Sequence, residues 1–182
     1  YGTDCGASIC DAVELAASFD GIKRVRLGSL EPDHMTPEVT KRLAECKKLC
    51  PQFHISLQSG CDKTLKRMNR HYTAAEYEEL CTRLRSEFED ATLTTDVMVG
   101  FSGETKEDFE ISRDFVRKIG FEKVHVFPYS RRAGTRAAEF PDVVENAEKE
   151  RRSREMIAAA GEVRHEFCLL YTSDAADERS SV

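Results

Sequence analysis

The sequence contains no run of apolar residues long enough to cross a membrane, which would need about 20 of them. It also lacks an excess of positive charge, because 27 Lys and Arg residues stand against 33 Asp and Glu residues, for a formal net charge of -6. These two absences argue against a helical membrane protein and against a strongly basic nucleic-acid-binding domain. No signal peptide is visible and the chain begins at Tyr1 rather than Met, so we expect a cytoplasmic protein of which this chain is a fragment.

Disulfide and metal-binding patterns are missing as well. The chain has seven cysteines, and neither their odd number nor their spacing fits a disulfide framework, which indicates a reducing compartment. No C-x-x-C pair occurs. Cys46 and Cys50 lie four residues apart on a predicted helix face, but no third ligand follows them. We therefore interpret them as core or half-buried thiols rather than as a metal pair.

The sequence also lacks the patterns of several catalytic classes. It contains no phosphate-binding P-loop, no metal triad, and no pair of a nucleophile and a base at a spacing that would support covalent catalysis. His54, His71 and His125 are therefore interpreted as structural residues. Taken singly, the residues lead only to an α/β enzyme with an unknown ligand.

What the sequence does contain is a regular alternation of strand and helix patterns. Strand patterns occur at four places, over residues 24–27, 53–57, 96–99 and 121–127. Thr36, Thr73 and Thr105 are predicted to begin three of the helices, and Gly120 is predicted to end one of them. This β-α-β rhythm with short connections predicts a parallel sheet with helices outside it, in either a barrel or a doubly wound fold.

Polar and glycine residues mark the loop that follows each predicted strand. These loops comprise residues 28–31, 58–60, 100–104 and 129–135. Because parallel strands bring their carboxyl ends to one edge of a sheet, where ligands bind in such folds, we predict a ligand site formed by all four loops. Structural interpretations stay open for single residues: Ser29 can satisfy local backbone groups, Gln58 can make a buried hydrogen bond, and Arg67 and Arg70 can simply be solvated.

Several longer motifs occur in a fixed order along the chain. They read RLGSLEP at residues 26–32, LCP at 49–51, HISLQSGC at 54–61, LKRMNR at 65–70, TDVMVGF at 95–101 and VFPYSRRAGTRAA at 126–138. Together these motifs resemble those of the radical S-adenosylmethionine (SAM) methylthiotransferases, and most of all the branch that acts on N6-threonylcarbamoyladenosine at position 37 of tRNA. The resemblance covers about residues 1–167.

The resemblance implies a partial radical SAM barrel of the (βα)6 type, with parallel strands and outer helices, truncated on its N-terminal side. Its cofactors would be S-adenosylmethionine and [4Fe–4S] clusters, and its substrate in the full-length parent would be tRNA. The cluster would cleave S-adenosylmethionine to a radical that abstracts hydrogen from C2 of the adenosine, before a methylthio group is installed. The reductant and the sulfur donor stay unknown, and no membrane partner is expected.

By position, the resemblance also implies which residues form the site. S-adenosylmethionine would lie against Ser29, Glu31, Gln58, Ser59, Gly60, Asp96, Gly100, Phe101, Gly103 and Glu104. The substrate or RNA side would comprise Arg67, Arg70, Tyr129, Ser130, Arg132, Gly134 and Thr135. No residue is assigned a catalytic role, and no metal ligand is assigned within this chain.

The chain departs from the family at three points. The C-x-x-x-C-x-x-C motif that holds the cluster is absent, and we expect its cysteines upstream of Tyr1. Ser102 stands in the glycine loop where the family usually has proline. We expect residues 1–140 to form the partial barrel, 141–167 a helical extension towards a missing C-terminal RNA-binding domain, and 168–182 a disordered tail unlike the family. The isolated chain is therefore expected to be inactive.

Other functions stay open at this point. Within the family, the nearest alternatives act on isopentenyl-adenosine or on an aspartate of a ribosomal protein, although the sequences of loops 28–32 and 130–136 favour the threonylcarbamoyl branch. Outside it, the chain could be a cluster-free α/β barrel enzyme or a nucleotide-binding module without catalysis. The product of the reaction and salt-sensitive RNA binding would distinguish these alternatives.

Overall fold

A computed structural model describes residue 2 and residues 4–179 of the chain, with side chains as far as residue 169. The helices in this part of the chain are α1 (Ile9–Ser18), α2 (Pro37–Ala44), α3 (Asp62–Arg67), α4 (Ala74–Glu87), α5 (Lys106–Ile119) and α6 (Asn146–Arg179). The strands are β1 (Ser29–Leu30), β2 (Gln52–Ile55), β3 (Thr92–Val99) and β4 (Lys123–Pro128). Short 3-10 turns cover Pro32–His34 and Arg136–Glu139.

The strands form one parallel sheet in the order β1-β2-β3-β4. β3 and β4 pair over six residues, starting with Thr94 opposite Lys123, whereas β1 and β2 pair only at two. Parallel neighbours cannot be joined by tight hairpins, so each strand is followed by at least one helix before the next begins. The parallel α/β architecture that the sequence predicts is confirmed.

The two faces of the sheet differ in chemistry because side chains alternate along a strand. One face carries the apolar side chains that pack under the helices, and Phe53, Ile55, Leu93 and Val97 are each at most 1% exposed there. The alternate positions carry polar side chains, namely Gln52, His54, Thr94 and Asp96. The hydrophobic core therefore lies on one side of the sheet, and we refer to the other, polar side as the inner wall.

Capping side chains set the helix boundaries. The hydroxyls of Thr36, Thr73 and Thr105 each accept a hydrogen bond from the backbone N–H three residues further on, which confirms the three predicted helix starts. α5 ends at Gly120 in the left-handed conformation with φ +72°, as predicted. A further capping box, which we did not predict, joins Ser8 to Asp11 at the start of α1.

The first predicted strand differs from the structure. Residues 24–27 contribute only one bridge, between Val25 and Leu49, and the regular strand β1 begins later, at Ser29. Within the described part of the chain, this segment lies at the edge of the sheet, where a strand has a neighbour on one side only. With half the usual ladder of hydrogen bonds, the apolar alternation of residues 24–27 does not suffice to hold a longer strand.

Cys46 and Cys50 are half-buried, as predicted, but the prediction that they lie on one helix face is wrong. α2 ends at Ala44, so Cys46 and Cys50 do not share a helix face. Pro51 disfavours a helical backbone at Cys50, which is a physical reason why Cys50 does not continue that helix. Cys10, Cys61 and Cys81 are buried, and burial raises the pKa of the Cys81 thiol to about 12.

α6 belongs to the body of the fold over its first half. It packs against β4 and α5 and buries Met156, Ala159 and Val163. Its backbone continues to Arg179, whereas we expected a disordered tail from residue 168; residues 180–182 lie outside the described part. The sequence after Gly161 contains no glycine or proline, and its alanines and charged residues favour a helix. The division into barrel, extension and tail stays a prediction.

Candidate functional site

The carboxyl ends of β2 and β3 border a cavity of about 560 Å³, which we call the edge cavity. Its lining includes Gln58, Met98, Phe101, Arg67, Arg70 and Phe140. Gln58 and Phe101 follow two different strands, and the two arginines come from the end of α3 and the turn after it. The structure thus brings together four of the residues that the sequence assigns to one site, in a volume suited to a small organic ligand.

Gln58 adopts a conformation that is uncommon for a residue with a side chain. Its φ is +63°, in the left-handed region. The Gln58 N–H donates to the Asp96 carbonyl at 2.9 Å, and the Gln58 carbonyl accepts from the Met98 N–H at 2.9 Å. Both backbone groups are therefore bound to β3, which holds the strained residue in place at the border of the edge cavity.

The glycine loop, residues 100–104, connects β3 to α5 through two left-handed glycines. Gly100 has φ +70° and Gly103 has φ +79°. The Gly103 N–H donates to the Asp142 carbonyl at 2.8 Å, and Arg67 Nε donates to the Ser102 carbonyl at 2.9 Å. An added Cβ at Gly103 would lie 2.3 Å from the Arg67 guanidinium carbon, so this arginine rests directly on the loop.

Glu104 has its partners within the protein. Its carboxylate accepts from the Gly100 N–H at 2.8 Å and from Arg152 of α6 at 2.6 Å. The two side chains of this ion pair are only 1% and 6% exposed. Burial raises the pKa of Glu104, while Arg152 and the Gly100 N–H oppose that shift. The carboxylate therefore acts on the loop, and its predicted contact with a cofactor stays a prediction.

Gly60 lies against α5, and Ser59 beside it is buried. The Ser59 hydroxyl accepts from the Cys61 N–H, and the Gly60 N–H donates to the Ser112 hydroxyl at 2.9 Å. An added Cβ at Gly60 would lie 2.5 Å from the Phe115 Cβ, so this position needs glycine for close packing of strand and helix. The structure places these two predicted site residues in the core, on the side away from the edge cavity.

The inner wall carries a polar cluster that the sequence reasoning missed. His54 Nε2 lies 3.3 Å from the Asp96 carboxylate, and His54 Nδ1 lies 2.9 Å from the Thr94 hydroxyl. The His125 ring follows at 6.0 Å between ring centres. The Asp96 side chain is 28% exposed here. Alternation of polar and apolar residues over 52–54, 92–94 and 123–125 was the signal that could have revealed this side of the sheet, although the polar Thr95 interrupts it before Asp96.

The inner wall borders a second cavity of about 730 Å³. Ser29 of β1 lines it together with Arg26, Asp96 and His125, and Phe127 contributes an aromatic ring that is half exposed. Ser29 and Asp96 were assigned to the cofactor side of the site, and the structure places both here and not at the edge cavity. The two cavities lie on the same polar side of the sheet, one along its strands and one at their ends.

The predicted RNA-side residues fall into three groups. The first group is the two arginines at and after the end of α3: Arg70 forms an ion pair with Glu31 at 2.8 Å, and Arg67 Nε donates to the Ser102 carbonyl at 2.9 Å. Tyr129 is buried, with its ring centre 4.8 Å from that of Phe101. The remaining residues lie in an exposed loop, in which the Thr135 hydroxyl donates to the Arg132 carbonyl at 2.8 Å. Ser130 and Gly134 are exposed in the same loop. The arginines at this edge thus remain accessible to an anionic ligand.

The cysteines do not form a cluster site among the described residues. No group of three or more His, Cys, Asp or Glu side chains in this part of the chain is arranged to share a metal ion. Since a [4Fe–4S] cluster needs converging thiolates, the described residues do not fit one. Across the same residues, no helix has both the length and the apolar character that crossing a bilayer requires.

Comparison with known families places these features in context. The model of the family described as "Radical SAM superfamily" matches residues 5–116. That range contains β1, β2 and β3, the glycine loop and most of α5. It ends before α6, which supplies Arg152 to the glycine loop.

Curated relatives name a related activity. The chain is 43% identical over 157 residues to the tRNA-2-methylthio-N(6)-dimethylallyladenosine synthase of Pelotomaculum thermopropionicum, covering 83% of this chain and 34% of that protein. It is 38% identical over 152 residues to the threonylcarbamoyladenosine tRNA methylthiotransferase MtaB of Thermotoga maritima, covering 84% and 35%. The chain thus spans about a third of the length of the curated relatives it matches.

A solved structure shares the fold. Coproporphyrinogen III oxidase (HemN) from Escherichia coli, described as a radical SAM enzyme, superposes with a TM-score of 0.66 at 17% sequence identity. The match covers 77% of this chain and 32% of that one. At this identity the similarity shows the architecture alone, and it agrees with a partial barrel of parallel strands.

Proposed function

The chain belongs to the radical SAM superfamily, and from this premise we propose that it forms the S-adenosylmethionine-binding side of a tRNA methylthiotransferase barrel. The observation that carries the proposal is the edge cavity, where Gln58 and Phe101 meet beside the glycine loop. The names of the curated relatives support the reaction class, a transferase reaction in tRNA modification. A cytoplasmic location agrees with such a role and stays a prediction.

The lining of the edge cavity fits the nucleoside part of S-adenosylmethionine. Phe101 and Met98 offer apolar surface for a base, and the Gln58 amide can both donate and accept hydrogen bonds with hydroxyl groups. The strained backbone of Gln58, bound to β3 through both of its polar groups, presents that amide at a fixed place. These residues would bind and orient the cofactor and exclude water from it.

The iron–sulfur side of the site is proposed to come from outside the described residues, since they do not fit a cluster. When bound beside a reduced [4Fe–4S] cluster, S-adenosylmethionine supplies the hydrogen-abstracting chemistry of the superfamily. The role of this chain would be to hold the cofactor and to shape the cavity in which the substrate meets it. The cluster cysteines are expected upstream of Tyr1, as the sequence motifs imply.

The substrate is proposed to be an adenosine of tRNA that carries a bulky N6 group. The loop sequences at residues 28–32 and 130–136 favour N6-threonylcarbamoyladenosine at position 37. Relatives named for the dimethylallyl substrate make the isopentenyl branch the alternative. Arg132 and Arg70 are proposed to face the RNA, because Arg132 is exposed in its loop, Arg70 lines the edge cavity, and guanidinium groups can bind phosphates.

The proposal can be tested by analysis of modified nucleosides. The complete open reading frame that contains this chain would be expressed in a host that lacks its own tRNA methylthiotransferases, and digested tRNA would be separated by liquid chromatography and mass spectrometry. We expect the 2-methylthio derivative of N6-threonylcarbamoyladenosine. The 2-methylthio isopentenyl product would reassign the substrate, and the absence of every 2-methylthio nucleoside would overturn the proposal.

A matched variant connects the product to the edge cavity. Gln58→Asn tolerates the left-handed conformation, because asparagine adopts it more readily than most residues, but it withdraws the amide by one methylene. We expect less methylthiolated product with an unchanged amount of protein. Equal product from both genes would contradict the role proposed for Gln58.

A further inference from the structure

α6 reaches the glycine loop through one buried arginine. Arg152 donates from its NH1 group to the Glu104 carboxylate at 2.6 Å and to the Glu104 carbonyl at 3.0 Å. Its Nε donates to Glu148 at 2.8 Å, one helical turn earlier. The guanidinium is thus bound on one side by its own helix and on the other by the loop. Since Glu104 also accepts from the Gly100 N–H, three hydrogen-bonded groups connect α6 to the first residue of the loop.

Lys149 makes a second contact with the same loop. It is 8% exposed, and an added Cβ at Gly100 would lie 2.5 Å from its Cγ. Its ammonium group lies 5.6 Å from the centre of the Tyr129 ring, a cation–π contact. The aliphatic stem of Lys149 therefore covers Gly100 where a larger residue in the loop would collide with it. One turn of α6 therefore contacts the loop twice, through the ion pair of Arg152 with Glu104 and through the close packing of Lys149 on Gly100.

A buried ion pair is a poor way to gain stability, because removing two charges from water costs about as much as their attraction returns. What such a pair can provide is a single geometry, since both partners lose their other options. Here that geometry is the direction of the Gly100 N–H and the left-handed turn that follows it. The loop borders the edge cavity through Phe101, so its shape sets one wall of that cavity.

We propose that Arg152, assisted by Lys149, is a positioning residue that holds the glycine loop in the conformation required by the S-adenosylmethionine site. This inference rests on the proposed function for the identity of the ligand, and on the contacts alone for the action on the loop. It assigns a site role to α6, which lies beyond the residues 5–116 that match the superfamily. Movement of α6 would thereby change the affinity of the cavity, although no α6 residue whose side chain the structure describes lines it.

The experiment compares two neighbouring arginines in the whole chain. Arg152→Met removes the contact with the loop, and Arg151→Met is the matched control, because Arg151 pairs only with Glu148 and Glu155 on its own helix. Two quantities are measured: binding of radiolabelled S-adenosylmethionine by equilibrium dialysis, and hydrogen exchange of the Gly100 amide in the free protein. For Arg152→Met we expect affinity to fall at least about tenfold, or about 1.4 kcal/mol, and exchange at Gly100 to accelerate. The control should change neither.

A second variant keeps the proposal testable if Arg152→Met does not fold. Arg152→Lys retains the charge but cannot bind its two partners through a planar fork, so it should fold and still weaken binding. Wild-type affinity and wild-type exchange at Gly100 in both Arg152 variants would overturn the inference, as would an equal loss in Arg151→Met. If the wild-type chain binds no S-adenosylmethionine, the proposed function fails on that result, and exchange at Gly100 still decides whether Arg152 holds the loop.

Discussion

Two glutamates in the strand-end loops of this sheet each pair with an arginine from a more distant segment, and the two pairs differ mainly in burial. Glu104 and Arg152 are 1% and 6% exposed at 2.6 Å, whereas Glu31 and Arg70 are 46% and 28% exposed at 2.8 Å. In the buried pair, the Glu104 carboxylate also accepts a hydrogen bond from the Gly100 N–H. The exposed pair has water as an alternative partner on both sides. The same two residue types thus form a rigid connection in one place and an adjustable one in the other.

The difference indicates how the site is divided. Glu104 and Arg152 are buried and bind the protein's own loop, while Arg70 lines the edge cavity and can exchange Glu31 for an anionic ligand. Burial therefore separates residues that shape the cavity from residues that can bind in it. Four substitutions test this division, in order of decreasing effect on the free energy of unfolding.

The largest effect is expected for Arg152→Met. It leaves the Glu104 carboxylate buried without its cation, and breaking a buried pair in this way costs about 3–5 kcal/mol of unfolding free energy. The measurement is urea denaturation followed by circular dichroism. The double variant Glu104→Leu, Arg152→Met should recover much of the loss, because it removes both charges. A loss below about 1 kcal/mol in the single variant would show that the pair behaves like a surface one.

The second effect is expected for Gly103→Ala. At φ +79° an alanine is strained, and its Cβ would displace the Arg67 guanidinium from the Ser102 carbonyl. We expect a loss of about 1–2 kcal/mol in the same assay. Gly6→Ala is the matched control, since Gly6 has φ +70° with no atom within 4 Å of an added Cβ, so it reports the backbone strain alone. Equal losses of unfolding free energy in the two variants would mean that the contact with Arg67 does not stabilise the loop.

The third effect depends on pH and concerns Glu148. Hydrogen bonds from Arg151 and Arg152 lower its pKa to about 2 from an ordinary value of 4.5. A lowered pKa stabilises the folded state above the ordinary value, and that contribution is lost as pH falls from about 4.5 to about 2. Because the side chain is a third exposed, solvent screening reduces the contribution to about 1 kcal/mol.

Glu148→Gln tests this pH dependence. The variant should be less stable than the wild type at pH 7, and the two stability curves should converge as the pH falls towards 2. Denaturant titrations at a series of pH values give the comparison. A constant difference across the whole acid range would exclude ionisation of Glu148 as the cause.

The smallest effect is expected for Glu31→Gln. It removes the partner of Arg70 in an exposed pair, and such pairs contribute about 0–1 kcal/mol. Denaturation at low and high salt checks the result, because screening should abolish what difference there is. A loss as large as that of Arg152→Met would remove the contrast between the two pairs. An increase in affinity for an anionic ligand would instead sharpen it, since Arg70 would then be free to bind.

Some of the site could be predicted from the sequence, and some could not. The loops after the strands identify Gln58 and Phe101, because parallel strands necessarily bring their ends to one edge. The same reasoning did not separate Gln58 from Ser59 and Gly60, which are buried and do not line the edge cavity. One residue further along a loop reverses the direction of a side chain, and sequence patterns do not locate a strand end to that accuracy.

The polar cluster of the inner wall is a part of the structure that could not be predicted from the sequence alone. His54 and His125 showed no catalytic spacing in the sequence and were interpreted as structural. Their proximity arises because β2 and β4 both pair with β3, which places residues about 70 positions apart on adjacent parts of one surface. The two-residue alternation of a strand predicts which of its side chains share a face. It predicts which residues of different strands lie close together only when the order of the strands in the sheet is known.

The sequence by itself determined the helix starts at Thr36, Thr73 and Thr105, the end of α5 at Gly120 and the parallel α/β class. These features depend on hydrogen bonds within one helical turn and on apolar periodicity, both of which are local. Only the tertiary structure decided that Glu104 is a buried partner of Arg152, 48 residues away. The reason is desolvation: whether a carboxylate binds a ligand or holds a loop depends on which distant residues exclude water from it.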